Sequence, residues 1–76
     1  MRFEYVVELF NKFGNANDTV YLLDADSEEY LGSLKVKELK NTVNYIRVVK
    51  GFASRGFDPK VNAFVDGFFI YCKVRY

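Results

Sequence analysis

The chain has 76 residues, 11 Lys/Arg against 10 Asp/Glu, one cysteine and no histidine. That length holds a single domain, and 50% hydrophobic with 18% aromatic content is too apolar for a disordered chain. Without histidine there is no Ser–His or Cys–His nucleophile pair and no histidine metal site. A lone Cys72 excludes an intrachain disulfide, a thiolate zinc site and a two-cysteine redox pair.

The net charge of +1 exerts no global pull toward nucleic acid or membrane, but it is unevenly spread. Residues 1–38 carry 4 Lys/Arg and 8 Asp/Glu, net −4; residues 39–76 carry 7 Lys/Arg and 2 Asp/Glu, net +5. Met1-Arg2-Phe3-Glu4 lacks the basic-then-apolar order of a secretory leader, and no apolar run approaches the ~20 residues of a membrane span. A cytoplasmic domain is therefore expected.

In chain order, Phe3, Tyr5, Val7 and Leu9 alternate with Arg2, Glu4, Val6 and Glu8, the period of a half-buried strand over 2–10. A competing helical pattern runs through Val6, Leu9, Phe10 and Phe13, with Gly14 behind it. Gly14–Asp18 reads as a loop, Thr19–Leu23 as a strand, Asp24–Glu28 as a polar turn and Glu29–Lys35 as a third strand hairpinned to the second. From Val36 the period changes. Leu39, Val43, Ile46, Lys50 and Ala53 fall on one stripe, predicting an amphipathic helix over about 37–54, closed by Gly56 and Asp58-Pro59. The β-branched Val43, Ile46, Val48 and Val49 make a strand at 43–50 the alternative.

Asp66-Gly67 has the composition of a two-residue hairpin turn. Closing the chain there puts Val61, Ala63, Val65, Phe68, Ile70 and Cys72 on one face, and Asn62, Phe64, Phe69 and Tyr71 on the other. A short helix begun by Asp58-Pro59 and stopped by Gly67 is the rival. The expected fold is α+β, an antiparallel sheet with one helix on one face, in the order β-β-β-α-β-β.

Asp24, Asp26, Glu28 and Glu29 form the densest charge cluster. Its first acids have calcium-loop spacing, but Glu29 stands where that loop needs glycine and Lys35 where it needs glutamate, so no metal is predicted. An acidic knob for a basic partner is the functional reading. On the last strand Phe69, Tyr71, Lys73 and Arg75 share an outer face, with Phe64 beside Phe69. Aromatic residues rimmed by charge suit a protein interface, or base stacking.

Lys50-Gly51-Phe52-Ala53-Ser54-Arg55-Gly56-Phe57 resembles part of an RNA-recognition-motif signature over eight residues, with Ser54 and Arg55 in place of the central aromatic and the aliphatic that follows. Tyr30-Leu31-Gly32-Ser33-Leu34 resembles the third strand of small DNA-binding domains of the plant ethylene-response and integrase arm-binding types. Those families dock a sheet into the major groove, whereas Glu4 and Glu8 here oppose phosphate.

The sequence thus points to a non-enzymatic protein-binding domain, an adaptor, modulator or inhibitor of the size of a viral or mobile-element accessory protein. Its candidate partner-binding residues are Phe64, Phe69, Tyr71, Lys73, Arg75, Asp24, Asp26, Glu28 and Glu29, with a homodimer through the aromatic strip. The alternative is a nucleic-acid module using Arg47, Lys50, Arg55, Lys73 and Arg75. No cofactor, small-molecule substrate or membrane is expected.

Overall fold

A computed structural model describes residues 1–74. The helix comes first: α1 spans Phe3–Phe13. Its buried residues Phe3, Val6 and Val7, with partly buried Phe10, follow the 3.6-residue stripe and not the alternation read over 2–10. Gly14 closes it by donating its N–H to the Phe10 carbonyl at 2.8 Å. Strands β1 (Thr19–Asp24) and β2 (Tyr30–Lys35) then form the expected antiparallel hairpin.

The predicted long helix is absent. A 3-10 helix over Val36–Thr42 gives way to a 13-residue strand, β3 (Ile46–Asp58), so the strand alternative for 43–50 holds in kind. Two bulges explain the false period. In the register with the last strand, β4 (Ala63–Val74), Ile46 faces Val74 but Val48 faces Lys73, and Val49 faces Cys72 but Gly51 faces Tyr71. Arg47 and Lys50 are therefore extra residues. Each bulge adds one to the two-residue repeat, so the side chains facing the helix recur as Ile46, Val49 and Phe52, every third residue. Three-residue spacing imitates a helix.

The hairpin turn is also displaced. β4 runs straight through Asp66-Gly67, and the chain reverses over residues 59–62, where Asn62 takes the left-handed conformation at φ 53°. Gly67 marks a bulge instead. Between the pairs Ala53–Phe69 and Arg55–Asp66, β4 places Gly67 and Phe68 opposite Ser54 alone.

The sheet order is β2-β1-β4-β3, and β1 pairs with β4 in parallel. The sheet is mixed, not all antiparallel, because β4 is the inner strand of its hairpin and meets β1 in the same direction. The chain ahead of α1 adds a further rung. Met1 exchanges two backbone bonds with Val49, at 2.9 and 2.6 Å, along the outer edge of β3. Under α1 and the 3-10 helix lies an aliphatic core of Val20, Leu22, Val36, Leu39, Ile46, Val49, Ile70 and Cys72, closed by Phe3, Val6 and Val7. Ile70 and Cys72 point inward, whereas Val61 and Ala63, which the Asp66-Gly67 turn would have placed on the same face, are exposed.

Candidate interaction surface

The opposite face of the sheet is not open, which corrects the exposed-strip reading. Phe69 is 0% exposed. Its ring stacks on Tyr21 at 4.5 Å, in register across the parallel pair. Gly56 lies on the same ring, where a β-carbon would come within 2.7 Å of it. The distal part of the β3–β4 hairpin curls over this face. Asp58, 6% exposed, accepts the Tyr21 hydroxyl and, at 2.9 Å, the Lys60 N–H. The Lys60 amine reaches the Ser33 hydroxyl on β2 at 3.5 Å, across the full sheet from β3. Burial first, then the charge of Asp58 and the neighbouring Tyr30, push the Tyr21 phenol above its ordinary value.

The other predicted partner residues are scattered. Phe64 is exposed and meets Phe57 edge-on at 5.7 Å. Tyr71 is half-buried, and together with Leu23, Tyr30, Phe57, Pro59 and Phe64 it lines a cleft of about 350 Å³. Lys73 is paired with Asp26, which ties the basic end of β4 to the acidic turn. Arg75 lies outside the described residues. Asp24 accepts the N–H groups of Asp26 and Ser27, at 2.8 and 3.0 Å, so its carboxylate shapes the turn. Glu28 holds that turn at φ 61°. Glu29 is exposed on its flank, its N–H on the Ser27 hydroxyl at 3.2 Å.

Of the basic residues, Arg55 is paired with Asp66 at 3.1 Å, while Arg47 and Lys50 occupy the two bulges of β3. The segment Lys50–Phe57 is strand, not the end of a helix. It sits at the sheet edge rather than in the middle.

A more apolar surface lies beside α1. Val6, Leu9, Phe10 and Phe13 of α1, Val20, Val36, Phe52 of β3 and Phe68 of β4 line a groove of about 490 Å³ beside the helix. Asp18 and Thr19 are the polar side chains on its wall. Phe68 is the hub, meeting Phe10 edge-on at 4.7 Å and Phe52 at 5.5 Å. Phe13 is 77% exposed, and Phe52 and Phe68 are over two-fifths exposed. The helical spacing of Val6, Leu9, Phe10 and Phe13 is the signal for it, whereas the strand reading of 2–10 separates Val6 from Leu9 and leaves Phe13 outside the element.

Cys72 is fully buried, its thiol directed at the Leu23 carbonyl at 3.5 Å. Burial, and secondarily the charge of Asp24, push its pKa up to about 11. No helix among the described residues is long and apolar enough to cross a membrane. No family model matches the chain, and neither a curated protein nor a solved structure is significantly similar to it.

Proposed function

We propose that the chain is a non-catalytic binding module that receives a short apolar segment of a protein partner in the groove between α1 and the sheet. The observation that carries this is the exposure of Phe13, Phe52 and Phe68 around one concave, nearly uncharged surface. Leaving a phenylalanine in water costs roughly 1.5–3 kcal/mol relative to full burial, most of which applies to Phe13 and a smaller share to Phe52 and Phe68. Contiguous apolar surface of this kind is the usual mark of an interaction site. Interface cores are aromatic and poor in charge, whereas a small-molecule site needs several convergent polar groups to orient its ligand. Asp18 and Thr19 alone are a poor set for that purpose. A protein partner is also favoured over nucleic acid by the pairing of Lys73 with Asp26 and of Arg55 with Asp66, which leaves less unneutralised charge for phosphate.

The test is selection of displayed peptides against the whole chain, followed by amide-shift mapping of the best binder. Enriched sequences should carry spaced apolar residues, should shift the amides of Phe10, Phe13, Phe52 and Phe68, and should lose binding to a folded Phe13→Glu variant. Binding of generic DNA or RNA at low salt that shifts Arg47 and Lys50 instead, with a steep salt dependence, would replace this reading with the nucleic-acid one.

A further inference from the structure

The two edges of the sheet are treated differently. β3 is guarded by its bulges at Arg47 and Lys50, each carrying a cation, and by the backbone of Met1 along its first half. These are the usual devices that keep an edge from pairing with another chain. β2 has one bulge, at Leu31, where Gly32 takes φ 148°, and beyond it a regular run to Lys35 that is paired on one side only.

The outward-facing groups of that run follow from its neighbours. The Val36 N–H donates inward to the Asp18 carbonyl at 3.0 Å, and the Lys35 N–H instead turns to the Glu38 carboxylate at 2.9 Å. Alternation then turns the N–H and C=O of Ser33 outward, away from β1. The Lys60 amine approaches the Ser33 hydroxyl, a contact between side chains that leaves this backbone free.

Charge selects what the edge pairs with. Glu28 and Glu29 precede β2, Lys35 ends it and Lys37 follows, all exposed; the exposed Glu38, on the Lys35 N–H, offsets part of the positive charge, and the two ends remain opposite in net sign. An antiparallel partner of the same sequence brings the acidic end of one strand to the basic end of the other, twice over. A parallel copy would set like charges together. We infer that β2 is a homodimerisation edge, pairing antiparallel with β2 of a second copy about a two-fold axis at Ser33 to give an eight-stranded sheet.

At that axis Ser33 exchanges both backbone bonds with its own copy; the bulge at Leu31 and the 3-10 helix from Val36 end the regular pairing on either side, and the acidic Glu28–Glu29 end of each protomer faces the Lys35–Lys37 end of the other. The regular stretch is short, so the dimer is weak and concentration-dependent, below the area of a permanent complex. It uses none of the groove residues and stands or falls separately from the groove.

Sedimentation velocity on the whole chain from about 10 μM to 1 mM, with amide exchange at the upper end, tests the inference. The sedimentation coefficient should rise with concentration while the Ser33 amide gains protection. Ser33→Pro removes an outward N–H that β1 does not use and should leave a monomer. Glu29→Lys and Lys37→Glu should each weaken association at least tenfold, and an equimolar mixture of the two should restore it as a heterodimer. This charge exchange decides the matter if the proline variant fails to fold. A monomer throughout, or association unmoved by either charge variant, overturns the proposal. So does protection appearing on β3 or in the Phe13 groove instead of at Ser33.

Discussion

The two faces of the sheet are built by different means. Toward α1, aliphatic side chains from β1, β3 and β4 interdigitate beneath a separate helix, and the cover is amphipathic in the ordinary way. Away from α1, one phenylalanine is buried by flat surfaces: the Tyr21 ring, the bare backbone of Gly56, and a hairpin that folds back over its own sheet. The first face is filled by volume and tolerates rearrangement. The second is filled by contact between planes and depends on the absence of a β-carbon at chosen positions. With α1 and the 3-10 helix on the first face, the second is covered by a lengthened, bent hairpin.

If both faces are core, removing the centre of either should cost comparable stability. Phe69→Ala should lose about 3–5 kcal/mol and Ile70→Ala about 2–5 kcal/mol, read from urea denaturation midpoints at unchanged slope. A loss below about 1 kcal/mol for Phe69→Ala would mean the curled hairpin does not seal the second face. Substitution by addition separates the faces more sharply. At Gly56 a β-carbon would stand 2.7 Å from the Phe69 ring, and at Gly67 2.9 Å from the Tyr21 ring. Gly56→Ala and Gly67→Val should therefore cost about 1–3 kcal/mol each by overpacking, with near-ultraviolet dichroism reporting the disturbed aromatic pair. Unchanged melting curves would show that this face has slack.

Each face also holds one acid that prefers its proton when folded, Cys72 on the aliphatic side and Tyr21 on the aromatic side. A raised folded-state pKa means the native protein binds the proton more tightly than the unfolded chain. The stability linked to Cys72 is thus intact at neutral pH and falls as pH rises from about 9 through about 11. Tyr21 acts in the same direction. At pH 8 the native thiol should resist iodoacetamide and react once urea unfolds the chain; rapid labelling of native protein would contradict the buried placement. The smallest effect is expected outside both faces. Glu28→Gln with Glu29→Gln should change stability by no more than about 0.5 kcal/mol per site, while Asp24→Ala, which removes the acceptor of two turn N–H groups, should cost more. Equal losses would make the acidic turn a single structural unit.

What the sequence yields follows the same division. The aliphatic face was legible because Val20, Leu22, Ile70 and Cys72 obey the two-residue period. The β1–β2 hairpin was legible from the polar turn at Asp24–Glu28 between two apolar runs, although the bulge at Leu31 puts Tyr30 and Leu34 on different faces. β3 was not, because bulges at Arg47 and Lys50 turned its period into three, and a bulge leaves no mark in composition. Asp66-Gly67 has the chemistry of a turn, but Gly67 is small because Tyr21 lies over it, a contact 46 residues away in sequence. The candidate site shares this history. Phe10 and Phe13 become neighbours of Phe52 and Phe68 only once α1 is a helix and β3 a strand, and both were assigned the other way.

The parallel seam between β1 and β4 has a consequence for assembly of the molecule. The pairs from Val20–Phe68 to Asp24–Cys72 each span 48 residues, nearly two-thirds of the chain, whereas the two hairpins close over short loops. Loop-closure entropy is lost before such distant contacts repay it. Each hairpin alone is marginal in water, and neither the aliphatic core nor the Tyr21–Phe69 stack exists until the seam forms. Both cores therefore appear in one cooperative step. Until then Phe52, Phe68 and Phe69 are exposed together, and the interval before the seam closes is when this chain is most prone to aggregate.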